Sequence, residues 1–183
     1  MGTMASTASR SGQTGTPRPH RGTVLWLPPT GAGTQVPTVV GIDELEYLVS
    51  DSVQIVVRAV VGKIGSLEIA RQRAAGHRPR AVPLRILNLR RRVARTWIVA
   101  ILQGKVDNAS LFALATRWIP QLVGRGEDAR RLAASSRELV EYVRGVIAAQ
   151  VMAEPANNLV PHAKALHALD TVLGAHLAAL AGA

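Results

Sequence analysis

The sequence predicts an all-α fold of about six helices, packed as a bundle or in a globin-like arrangement, behind an N-terminal stretch that stays outside the core. Three observations predict it. From Asp43 onward apolar residues recur at helical spacing almost without interruption. Glycines and prolines punctuate that pattern where helices of ordinary length start and stop. Hydrophobic residues make up 48% of the 183, enough for a true core, while no run reaches the ~18 uninterrupted apolar residues of a membrane span.

In chain order, residues 1–22 are rich in Ser, Thr, Gly, Pro and Arg, with Met as their one large apolar type. Such a stretch cannot offset the entropy of ordering itself, and disorder is expected. No secretory h-region is evident there. Residues 23–42 hold two β-like runs, Thr23–Leu27 and Val36–Val40, around a Pro/Gly-rich turn. They predict a hairpin or an extended arm, and Pro37 argues against a central strand. The helical domain then occupies 43–183.

Its first helix starts at a capping box, Asp43-x-x-Glu46, and carries Leu45, Leu48, Val49, Val53, Val56, Val57 and Val60 until Gly62 and Gly65. Ser66 caps a short second helix, Leu67 to Ala75, stopped by Gly76. The third runs from near Pro83 to Gly104. Asp107 or Asn108 opens a fourth, with Leu111, Phe112, Leu114, Ala115, Trp118 and Ile119 on its apolar side and Pro120 to kink or end it. The fifth spans about Glu127 to Ala153. The sixth follows Asn158, with Pro161 in its first turn and a seam of Leu166, Leu169, Leu173, Leu177 and Leu180. Small residues at 175–183 make its end a candidate dimer seam.

Charge is distributed unevenly. The formal net charge is +10, yet residues 43–68 carry −3, residues 69–106 carry +10 without one acid, and residues 107–183 carry seven of each sign. On a helical wheel the third helix places Ile86, Leu87, Val93, Ala94, Trp97, Ile98 and Ile101 on one face. Arg85, Asn88, Arg91, Arg92, Arg95 and Thr96 share the other, interrupted by Val99 and Leu102. Arg90 alone falls within the apolar face, where an unpaired guanidinium is costly. It calls for a carboxylate from another helix, a bound anion, or a local shift that lets its head snorkel. For Arg85, Arg91, Arg92 and Arg95 four readings stand: a solvated face, a dock for an acidic protein or another subunit, a nucleic-acid contact through the basic helix 83–104, or a membrane-surface contact.

Catalytic and metal chemistry find little footing. The chain has no cysteine, which removes thiolate zinc sites, iron–sulfur clusters and thiol nucleophiles. His162 and His176 share a side of the last helix but stand about 21 Å apart, and His167 points elsewhere. His167 and Asp170 are one turn apart, close enough to hydrogen-bond. Glu138, Glu141, Arg137 and Arg144 read as intrahelical ion pairs, and Trp97 and Trp118 as core anchors. No cofactor is expected.

The run Arg71-Gln-Arg73, Gly76, Val82-Pro-Leu84-x-x-Leu87, followed by Arg92 and Trp97, resembles the helical N-terminal sensory domains of stressosome-type RsbT co-antagonists and related PucR-like regulators. Arg91 stands where those domains carry a tyrosine. The resemblance implies an all-α, globin-like, non-enzymatic signalling module, often dimeric and without haem. The expectation is therefore a cytoplasmic regulatory or interaction module that is not an enzyme, whose partner is an acidic protein or a second copy. The alternative is a helical nucleic-acid-binding protein.

Overall fold

The chain is described by a computed structural model, which covers residues 39–123, 129–155 and 159–182. The expected tail 1–22 and all but the last four residues of the arm 23–42 lie outside the described residues, as does the proposed cap Asn158. What is described is helical: α1 Ile42–Val49, α2 Val53–Ala74, α3 Leu84–Leu102, α4 Asn108–Ala113, α5 Ile119–Val123, α6 Ala129–Ala153 and α7 Val160–Ala181.

Three boundaries differ from the sequence expectation, each for a physical reason. The stretch Ser50-Asp51-Ser52 forms a tight 3₁₀ turn that separates α1 from α2. Ser50 Oγ donates to Tyr47 O at 3.3 Å, the local competition by which serine and aspartate disfavour helix interiors. Further on, the expected break at Gly62 and Gly65 does not occur, and the first two predicted helices merge into α2. Each glycine costs about 1 kcal/mol against alanine, less than is gained by burying Val56, Val57, Val60 and Ile64 along one face. Ser66 opens no new helix; its Oγ donates back to Gly62 O. Nor is α1 opened by a capping box, because its N-cap is Gly41, two residues before Asp43, with no side-chain cap. Gly41 has φ 88°, and a Cβ there would sit 2.3 Å from Lys164 O. A side chain at this point would keep α1 from closing on α7.

Other expected boundaries hold. Gly76 and Gly104 take positive φ, and each ends its helix with the paired 6→1 and 5→2 bonds of a Schellman motif, His77 N to Gln72 O with Gly76 N to Arg73 O, and Lys105 N to Ala100 O with Gly104 N to Ile101 O. Asp107 caps α4 through Ser110 N at 2.9 Å. The Ser110 hydroxyl and backbone N–H hold that carboxyl below its ordinary range. Between α4 and α5 the chain widens into a π turn, Leu114–Trp118. Pro120 supplies no N–H and its ring would strike the carbonyl of residue 116, and the wider turn accommodates both facts.

Packing joins α1 to α7, α2 to α3 and α6, and α6 to α7, with α5 lodged among α2, α3 and α6. Trp97, Ile98 and Ile101 of α3 meet Leu139, Val143 and Ile147 of α6 and Leu169, Val172 and Leu173 of α7 in one continuous apolar cluster. Phe112, expected inside, is exposed, and Trp118 is only half-buried. One stretch contributes nothing to this core: from Gly65 to Leu89 no residue is buried.

Candidate interaction face

Because Val57, Val60 and Ile64 turn inward, the neighbouring Gln54 and Arg58 stand beside the α2–α3 seam. Across the seam α3 presents Arg91, Arg92 and Arg95. Together with Val57 these six residues line a groove of about 450 Å³. All four arginines are exposed. Among the described residues no carboxylate lies within 4 Å of any of them.

The structure thus regroups the predicted residues. Arg91, Arg92 and Arg95 come together; Arg85, six residues before Arg91 and about 9 Å along the axis, is exposed but outside the groove. Arg58 joins instead. A wheel of α2 places Arg58 on the outer side, yet only the pairing of α2 with α3 sets it opposite Arg91 and Arg95. The wheel of α3 holds at its centre and fails at its ends. Ile86 is exposed because the first turns of α3 project past the core, whereas Ala100 and Leu102 are buried where its last turns enter it.

Arg90 points inward, as predicted, and is 6% exposed. Of the three expected remedies the structure uses a carboxylate from another helix: Glu68 Oε2 of α2 stands 2.6 Å from Arg90 Nη2. The Nε and Nη1 atoms of Arg90 are buried without a hydrogen-bond acceptor. Nearby, Arg71 Nη2 donates to Val123 O at 2.7 Å, tying α2 to the end of α5. The remaining described pairs also join different helices: Lys63 to Glu138 at 2.6 Å, Arg144 to Asp170 at 2.7 Å, and Lys164 to Glu44 at 3.2 Å. This corrects two expectations. Glu138 and Arg144 pair across helices rather than within α6, and Asp170 is held by Arg144 rather than by His167.

Two histidines, His162 and His176, are buried in the packing. Trp97 Nε1 donates to His176 Nδ1 at 3.3 Å, so His176 carries its proton on Nε2 and donates it to Lys105 O at 3.2 Å. Burial pushes the His176 pKa down. His162 is also buried, with Nε2 3.1 Å from Glu154 O. Among the described residues no group of three or more His, Asp or Glu side chains could hold a metal ion. Shallow indentations along α6 and α7 have neither histidine nor serine in their walls. No helix among the described residues is long and apolar enough to cross a membrane. Among the described residues these elements define an all-helical domain with a segregated cationic groove and no evident catalytic constellation. No family model, no curated protein and no solved structure matches the chain.

Proposed function

We propose that this chain is a non-enzymatic helical interaction module that docks an acidic protein partner in the groove between α2 and α3. The observation that carries this reading is the contrast in how cations are used. Lys63, Arg90, Arg144 and Lys164 each meet a carboxylate of another helix, whereas Arg58, Arg91, Arg92 and Arg95 gather around one groove with no carboxylate partner among the described residues. Like charges held together raise the energy of the free state and favour an incoming anion. Guanidinium suits carboxylates especially well, through its bidentate fork.

Two features favour a protein over a nucleic acid. The groove is floored by Val57 and edged by Gln54, and among the described residues no aromatic ring lines it on which a base could stack. The link from α2 to α3 covers residues 75–83, longer than the 3–4-residue turn that sets a recognition helix in a DNA groove. A signalling role is the part of the proposal that rests on the resemblance of residues 71–97 to stressosome-type and PucR-like sensory domains.

The test is a fluorescence anisotropy titration with labelled poly-glutamate, duplex DNA and single-stranded RNA across a salt series. Poly-glutamate is expected to bind, and the double substitution Arg91→Gln with Arg95→Gln to abolish it. Tighter binding of either nucleic acid, with a log–log salt slope for about four phosphates of about −3.6 on the duplex or about −2.8 on the single strand, would overturn the choice of a protein partner. Failure of all three probes to bind would overturn the docking reading.

A further inference from the structure

We infer that the acidic partner is a second copy of this chain, whose α1 outer face docks into the arginine groove of its neighbour. The inference rests on the docking reading above and supplies its missing half from the same molecule. On α1, Leu45 and Val49 are buried, which fixes the helix's rotation and turns Asp43, Glu46, Tyr47 and Ser50 outward at i, i+3, i+4 and i+7. Asp51 is exposed in the turn that follows. Among the described residues, no cation lies within 4 Å of Asp43, Glu46 or Asp51. Among the described residues, then, an unpaired acidic face lies on α1 and an unpaired cationic one between α2 and α3.

Their chemistry and dimensions match. Arg91 and Arg95 stand one turn apart, about 6 Å along the axis, and Asp43 and Glu46 about 4.5 Å, so both carboxylates can meet guanidinium forks at once. Beside Asp43 on the same outer face, Tyr47 is 82% exposed among the described residues. Its π face accepts a guanidinium within about 6 Å, and tyrosine and arginine are both enriched in protein interfaces. A simple polyanion would leave Tyr47 unused. The two faces can be satisfied reciprocally in a two-fold dimer, each α1 in the other copy's groove, or head-to-tail, closing into a ring or continuing as a filament according to the rotation between copies.

Salt supplies a diagnostic of sign. Whole molecules of net charge +10 repel each other, and if net charge alone governed encounter, added salt would promote association. Contact between complementary faces is shorter than the Debye length of about 10 Å at 0.1 M and weakens as salt rises.

The test is sedimentation of the full chain over a range reaching high micromolar concentration, with two exposed-surface variants: Asp43→Asn with Glu46→Gln, and Arg91→Gln with Arg95→Gln. Wild type is expected to associate, with a mass that grows with concentration, and to lose at least tenfold in association constant between about 50 and about 500 mM salt. Each variant alone is expected to remain monomeric. Mixed one to one, the variants should form a complex that stops at two, since only one intact face of each kind remains; this outcome also shows that both are folded. Association that strengthens with salt, or that persists in either variant, overturns the inference. Monomeric wild type that still captures poly-glutamate overturns self-docking and leaves the groove reading standing. Monomeric wild type that captures nothing overturns both.

Discussion

Removing the carboxylate of Glu68 should be far more damaging than removing the guanidinium it holds. Arg90 is 6% exposed, and two of its nitrogens already lack acceptors. Its Nη2 contact with Glu68 at 2.6 Å is thus the main compensation for the buried charge. Glu68→Leu strips that away and leaves a buried cation unpaired, a class of change that costs about 3–5 kcal/mol. We expect about 3, since the long arginine stem can carry part of the charge toward water. Arg90→Met leaves a neutral chain of similar shape, and although Glu68 Oε2 is buried, its side chain is 25% exposed and can turn the carboxylate to water, so the expected loss is about 1 kcal/mol. The double variant should lie within about 1 kcal/mol of wild type. Urea unfolding followed by circular dichroism, with midpoints compared at a common slope, reads all three. A loss below about 1 kcal/mol for Glu68→Leu, or equal losses for the two single variants, would refute the assignment of Arg90 as a buried charge dependent on Glu68.

Three further predictions concern stability. His176 has its pKa lowered from 6.5 by burial, so folding favours its neutral form; its contribution is complete above about pH 6.5 and is lost as pH falls from there through the folded-state value. Denaturant midpoints across pH 5 to 8 should therefore fall more steeply below about 6.5 in wild type than in His176→Gln. Gly41→Ala should destabilise by about 3 kcal/mol, combining a left-handed backbone with backbone overlap at Lys164. Gly76→Ala, equally left-handed but in open space, should cost only about 1 kcal/mol; equal losses in thermal melts would show that α7 does not press on Gly41. Gly62→Ala and Gly65→Ala, both mid-helix with nothing within 4 Å of an added Cβ, should each stabilise by about 0.5–1 kcal/mol, and a loss in the same melts would argue against a continuous α2.

Helical class, the inward Arg90 and the Gly76 and Gly104 stops were legible because each follows from local rules: period, charge on an apolar face, and a backbone that glycine alone accepts readily. The continuity of α2 was not, since Gly62 and Gly65 read as stops on propensity and only burial against α3 and α6 overrides them. Phe112 failed similarly: its spacing puts it on an apolar stripe, but the π turn after Ala113 alters the phase of that face. For the candidate groove, Arg91, Arg92 and Arg95 were readable from one wheel. Arg58 required knowing which helix lies beside which, and Arg85 fell away because the core ends before it does.

The absence of any buried residue from Gly65 to Leu89 has a consequence for motion. Parting the distal halves of α2 and α3 surrenders no core contact, so the resistance to it comes from polar ties such as Arg90 with Glu68 and Arg71 with Val123. Backbone amides there should exchange with solvent through a local opening of lower free energy than global unfolding. Arg91 begins where that opening ends. Whatever settles on the groove would clamp the base of the hairpin and slow exchange along its length, so that occupancy would register in residues the occupant never touches.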